Sequence, residues 1–180
     1  EVGSDAVAAR SLALSLALQG ASLIANPAAY PATLEGGEQQ QLLAGATSRR
    51  GICAYVSAGA GNGESSSDAA WEGRTFIYQD GSKLAETEPF PSETQIALAD
   101  IDLTTLANRR RRESSFADAR AGQPEKPWEI KIRLGVGAAG AAISFDPWAN
   151  VSNAATLKDP QAALFPVPAR FPFLPADQEG

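Results

Sequence analysis

SRRGICAYVSAGAGNGESSSD, residues Ser48–Asp68, carries three local signals in succession. Arg49, Arg50 and Gly51 read as the last turn and stop of a helix, because cations suit a helix C-terminus and glycine favours the exit. Ile52–Ser57 (ICAYVS) is a short apolar run of the buried-strand type. The glycine- and serine-rich run Gly59–Asp68 is a loop. Helix, strand and long loop in this order make a unit of a layered α/β domain, with helices packed on a mostly buried sheet.

Working outward from this stretch, Glu38–Arg50 carries Leu42, Leu43 and Ala46 on one helical face. Before it, Ala21–Ala25 (ASLIA) predicts a buried strand ended by Asn26-Pro27. Residues 6–19 are rich in Ala and Leu and stop at Gly20, which predicts a helix, although Leu12, Leu14, Leu16 and Leu18 alternate as a strand would. Downstream, Arg74–Gln79, the Asp80-Gly81 pair and Lys83–Thr87 predict a hairpin. Gln95–Leu103 (QIALADIDL) predicts a strand, and Thr104 should cap a short helix ending in Arg109–Arg112. Past Ala119 the character changes, and eight of the 12 prolines fall in the last sixty residues. There Glu129–Val136 alternates as a strand, while PVPARFPFLPADQEG is an extended connector, since its prolines remove donors and fix φ. The domain reading is therefore 1–119 for the α/β part and 120–180 for the proline-rich part.

Composition narrows the chemistry. The 180 residues suffice for one real core. The 44% hydrophobic and 20% charged content is that of an ordinary globular chain. No apolar run reaches the roughly 20 residues that span a bilayer. A net charge of −6 argues against tracking nucleic-acid phosphates. The single cysteine, Cys53, excludes an internal disulfide and fits a reducing compartment, the cytoplasm. With no methionine, the sequence reads as beginning in mid-protein. With no histidine, Ser-His-Asp and Cys-His catalysis are excluded, along with the usual zinc sites.

Four stretches, in order and at fitting spacing, resemble the amidohydrolase domain of bacterial glutamine-dependent NAD synthetases. They are Leu16–Ala29 (LALQGASLIANPAA), Ser48–Asp68, Trp71–Pro91 (WEGRTFIYQDGSKLAETEPFP) and Ala97–Asp118 (ALADIDLTTLANRRRRESSFAD), within residues 1–118. The GESSSD loop followed by the LAETEPF hairpin is the specific part; other nitrilase relatives share only a glycine skeleton. Arg170–Asp177 (RFPFLPAD) resembles the connector before that family's synthetase domain. The resemblance implies a nitrilase-like αββα layered sandwich, present here as a partial domain with a proline-rich extended tail. It implies hydrolysis of glutamine's side-chain amide through a Cys thioester, a Glu acid–base and a Lys at the oxyanion. The released ammonia would pass to the protein's own synthetase domain, where ATP and Mg are expected, in a homo-oligomer. No cofactor is expected in the present residues.

The chain departs from the family pattern at two places. The family's Glu and Lys lie upstream of these residues. Its E-[IV]-C-E-D nucleophile motif, laid down without gaps, falls on Glu1-Val2-Gly3-Ser4-Asp5, with Gly3 at the nucleophile position. After Asn26, where the family places polar residues that hold glutamine's charged groups, the chain reads PAAYP, with Tyr30 near an expected serine and Gly36 near an expected basic residue. Asn26 and Tyr30 are thus the candidate substrate-binding positions, and Glu64, Ser65 and Asp68 in the GESSSD loop are candidates for the border of the site or a tunnel.

Other features have plainer readings. Cys53 lies in a strand and reads as a core hydrophobe. Gly135–Gly140 spells GxGxxG, but Pro147 leaves little room for the helix a dinucleotide site needs. Arg109–Arg112 reads as a solvated, dipole-stabilised run, with an interface as the alternative. Trp71, Trp128 and Trp148 read as packing residues. Two rival functions remain open: a free-standing carbon–nitrogen hydrolase, or a non-catalytic domain kept for assembly or tunnel walls.

Overall fold

The computed structural model describes residues 2–61, 63–64 and 69–122. Glu129–Val136, the Gly135–Gly140 bend, Trp128, Trp148 and the proline-rich tail lie outside them, as do Ser65 and Asp68. A 3-10 turn, Gly3–Val7, precedes α1 (Leu12–Leu18) and β1 (Leu23–Ala28). After these come α2 (Gly36–Gly51), β2 (Ala54–Gly59), β3 (Thr75–Gln79), β4 (Ser82–Glu86), α3 (Leu103–Arg112) and α4 (Ser114–Ala121). The four strands form one sheet in the order β1-β2-β3-β4. β1 and β2 run parallel through the α2 crossover, and the remaining pairs are antiparallel.

The expected helix over 6–19 is divided. Ser11 caps α1 by accepting the Leu14 N–H at 3.3 Å, which starts the helix only at Leu12. The residues α1 buries are Ala13 and Ala17, one turn apart, and their small side chains let the helix lie close to its neighbours. These alanines join Ile24, Ala44, Cys53, Tyr55, Phe76 and Tyr78 in the main core. Phe76 and Tyr78, two apart on β3, meet edge to face at 5.8 Å.

β1 runs through Asn26 and Pro27, where the sequence suggested a stop. A proline fits because, among the described residues, β1 stands at the edge of the sheet and Pro27 is exposed. β1 also alternates exposed and buried residues, so it is buried on one face only. Gly51 is the last residue of α2, and the left-handed exit falls on Ile52, with φ 45°. The glycine serves packing: a Cβ on it would lie 3.0 Å from the Cys53 sulfur and 3.1 Å from Ala17. Left-handed backbone is costly for a β-branched residue. Ile52 compensates by burying its side chain with Leu106 and Phe116 in a second core.

The hairpin follows expectation, with Asp80 and Gly81 both at positive φ, as a two-residue I′ turn requires. Ser48, fully buried, fastens α2 to it by donating to the Cys53 carbonyl at 2.7 Å and accepting the Gly81 N–H at 3.1 Å. Gln95–Leu103 forms no strand among the described residues, and Ile96 and Leu98 are 78% and 72% exposed. The period-two pattern is present, but among the described residues it joins no named strand. The cap of α3 is Asp102, not Thr104: its carboxylate accepts the Thr105 N–H at 2.8 Å and the Thr105 hydroxyl at 2.6 Å.

The arginine run is divided between structural and exposed roles. Arg109 pairs with Asp80, whose carboxylate also meets Arg49. Arg110 is half-buried, and its guanidinium donates to the carbonyls of Ile52 at 2.9 Å, Ala21 at 2.7 Å, Gly51 at 2.9 Å and Gly20 at 3.4 Å. It also lies 5.1 Å from the Phe116 ring centre. Half of the run is therefore internal, because the chain leaves unpaired carbonyls beyond the ends of α1 and α2 where a fork of donors fits.

Glu86 ties β4 to α2 and to the start of β3. It accepts from Gln41 at 2.7 Å, from Arg74 at 2.8 Å and from Lys83. Burial acts to raise its pKa, but the hydrogen bonds from Lys83 and Arg74 outweigh it and hold the carboxyl below its ordinary 4.5. A depressed folded pKa contributes stability above the unfolded value and loses it as pH falls through the folded one. The stability difference between wild type and Glu86→Gln should therefore shrink as pH falls from about 5 toward 3. Urea titrations across that range check this, and a constant difference would contradict it.

Candidate functional site

The positions singled out near the N-terminus and after Asn26 meet in space. The Gly3 N–H donates to Asn26 Oδ1 at 2.9 Å, and Asn26 Nδ2 donates to the Tyr55 hydroxyl at 2.9 Å. The Tyr30 hydroxyl donates to the Gly3 carbonyl. A chain of side-chain bonds thus clamps the first turn onto β1 and β2. Gly3 has φ 53°, the left-handed region that glycine occupies freely. A Cβ built on it meets nothing within 4 Å.

Asn26 points inward because β1 alternates, and the register pairs it with Ser57. Tyr55 and Ser57, two apart on β2, face the same side. Asn26, Tyr30, Gln40, Thr47, Tyr55 and Ser57 surround a cavity of about 10 Å3, with Phe76 among its apolar walls. That is roughly the room one water needs. Among the described residues that line it, none is charged. The walls are polar, so the space can hydrogen-bond a small neutral molecule; what it lacks is a counter-charge for an amino acid's ammonium or carboxylate.

Gly36 starts α2 and is not among these walls; a Cβ on it would lie 2.5 Å from the Thr33 hydroxyl oxygen, so no larger side chain fits without a shift. Glu64 lies elsewhere, exposed in a separate depression beside Trp71, Phe90 and Pro91. Cys53 is fully buried in the main core, away from solvent. The sequence reading did not single out Tyr55, Ser57, Gln40 or Thr47. A period-two reading of AYVSAG would have placed Tyr55 and Ser57 together, whereas Gln40 and Thr47 need the three-dimensional packing of α2. Among the described residues no group of three or more Cys, Asp or Glu is placed to hold a metal ion. No helix among them is long and apolar enough to cross a membrane.

No family model matches the chain. Its sequence is 36% identical over 163 residues to the glutamine-dependent NAD(+) synthetases of Mycobacterium bovis and Mycobacterium tuberculosis. It is 34% identical over 168 residues to that of Mycobacterium leprae. These matches cover 91% of this chain, more than the two thirds that carry the motifs, and 21% of each relative, so the chain spans about a fifth of their length. In solved structures, a carbon–nitrogen hydrolase from Helicobacter pylori G27 superposes with a TM-score of 0.55 at 18% identity, over 65% of this chain and 44% of that one. A nitrilase-superfamily protein of Saccharomyces cerevisiae gives 0.52 at 20% identity, over 62% and 39%. The shared sequence and the superpositions agree: the chain is homologous to a segment of glutamine-dependent NAD(+) synthetase and has the nitrilase, or carbon–nitrogen hydrolase, fold.

Proposed function

We propose that this chain is part of the glutamine amidohydrolase portion of a glutamine-dependent NAD synthetase, and that its own site is catalytically silent. The observation that carries the second half is glycine at the nucleophile position, bonded to Asn26 and Tyr30, which line a small cavity whose described walls carry no charge. Glycine offers no atom to form a thioester, and glutamine's charged groups would find no partner there. Assembly and tunnel roles survive such a loss, because the sheet and its helices remain well packed around the site. In this reading the partner is the protein's own synthetase domain, which uses ATP and Mg, within a cytoplasmic homo-oligomer. Glu64, exposed in a depression apart from this cavity, takes no part in amide chemistry. A free-standing amidase is disfavoured by the absent nucleophile.

The 180-residue chain incubated with glutamine should release no ammonia above the uncatalysed rate. Cys53, fully buried, should carry no glutamyl thioester by intact-protein mass spectrometry. A mass increase corresponding to a glutamyl group on Cys53 would overturn the proposal of a silent site.

A further inference from the structure

Glu64, Trp71, Phe90 and Pro91 line a depression of about 400 Å3 that shares no lining residue with the cavity beside Asn26 and Tyr30. Phe90 is 61% exposed and stands at φ 54°. A bulky residue is rarely found in left-handed backbone, and glycine or asparagine would serve such a turn better. The turn itself is firmly held: the Phe90 N–H donates to the Glu72 carbonyl at 2.6 Å, and the Gly73 N–H to the Ala60 carbonyl at 2.9 Å. A Cβ built on Gly73 would lie 3.2 Å from the Gly61 Cα and 3.2 Å from the Pro91 ring, so the two sides of the depression leave no room for a side chain there. What phenylalanine adds at position 90 is its ring, and the fold does not bury that ring.

The chemistry of the walls is one-sided. Among the described residues, the lining holds two aromatic side chains, a proline, one carboxylate, Glu64, and no basic residue. Glu88 and Glu93, both exposed, flank Phe90 in sequence. Aromatic faces and a carboxylate together attract an organic cation, and guanidinium suits them best, since it stacks flat on a ring while its edge pairs with the carboxylate. The depression is open and shallow, which fits a side chain presented on a polypeptide better than a free small molecule enclosed on all sides. We propose that this depression is a docking site for an arginine side chain on a partner protein segment. The proposal rests on these walls alone and is independent of the function assigned to the Gly3 site.

The test is an NMR titration of the isotope-labelled chain with the peptide acetyl-Gly-Arg-Gly-amide, following the Trp71 indole N–H and the Gly63 and Gly73 amides. The matched peptide with citrulline in place of arginine keeps the shape and removes the charge. Saturable shifts with the arginine peptide are expected, with the citrulline peptide weaker by about fivefold or more. Glu64→Gln should weaken the arginine peptide by about fivefold and reduce its salt dependence. Phe90→Gly should weaken it similarly while leaving the thermal midpoint unchanged or higher, because glycine accepts the backbone and only the ring is lost. Equal binding of the citrulline peptide, an unaffected Glu64→Gln variant, or no saturable shift would overturn the proposal.

Discussion

Arg110→Ala is expected to destabilise the chain by about 2–4 kcal/mol, the largest loss among its surface-accessible residues. One guanidinium serves four carbonyls, those of Gly20, Ala21, Gly51 and Ile52. These lie at or just past the C-terminal ends of α1 and α2, where a helix leaves its last carbonyls unpaired and carries partial negative charge. Alanine would leave them to whatever water reaches a half-buried site. It would also remove the cation–π contact with Phe116 and uncover the second core, where Ile52 holds its left-handed backbone only by virtue of that packing. Arg110→Lys should recover only part of the loss, since an ammonium cannot present a planar fork to carbonyls on two loops. Arg111→Ala, which removes an exposed side chain bonded only locally to Asn108, should stay within about 0.5 kcal/mol of wild type. Urea denaturation of the three variants measures these differences. Equal effects at positions 110 and 111 would show that the whole run is solvent-facing, as its sequence alone suggested.

Particular residues show how far the sequence could be read. The hairpin was legible because Asp80-Gly81 is a local signal whose backbone requirement leaves few alternatives. Helix α2 and strand β2 were legible through the Arg49–Gly51 stop and the ICAYVS run, although the residue in left-handed conformation proved to be Ile52. That detail depends on tertiary contact: Gly51 is small because Cys53 and Ala17 press against it, and Ile52 is strained because its side chain has a core to enter. Pro27 misled in the same way. A proline argues for a strand end in general, and only the position of β1 at the sheet edge makes it acceptable inside one. QIALADIDL has the pattern of a strand, but pairing needs a neighbour, which the segment's own sequence does not disclose. At the site, Gly3, Asn26 and Tyr30 came from a resemblance in spacing, and the fold brings the three into one hydrogen-bonded cluster. The part of the uncharged wall contributed by Gln40 and Thr47 could be seen only once α2 lay over the sheet.

A full-length protein containing this chain and a synthetase domain should make NAD from ammonium at an ordinary rate and from glutamine at least about 10^3-fold more slowly, because removing a nucleophile forfeits covalent catalysis entirely. The silent site should also resist simple repair. Gly3→Cys is sterically possible, since nothing lies within 4 Å of the new Cβ, but the φ of 53° costs a non-glycine residue about 1–2 kcal/mol. Beside position 3, Asn26 and Tyr30 line a cavity of about 10 Å3, too small to admit glutamine. Gly3→Cys alone should therefore restore little. Gly3→Cys with Tyr30→Ser should restore more than the two changes taken separately, because a thiol acts only on substrate that can enter. The most direct measurement is the rate of NAD formation by the unmodified full-length protein with glutamine or an ammonium salt as the sole nitrogen donor. Activity with ammonium and almost none with glutamine is the predicted result. Glutamine used as readily as ammonium would contradict it, and would mean that the working nucleophile lies at a position other than Gly3.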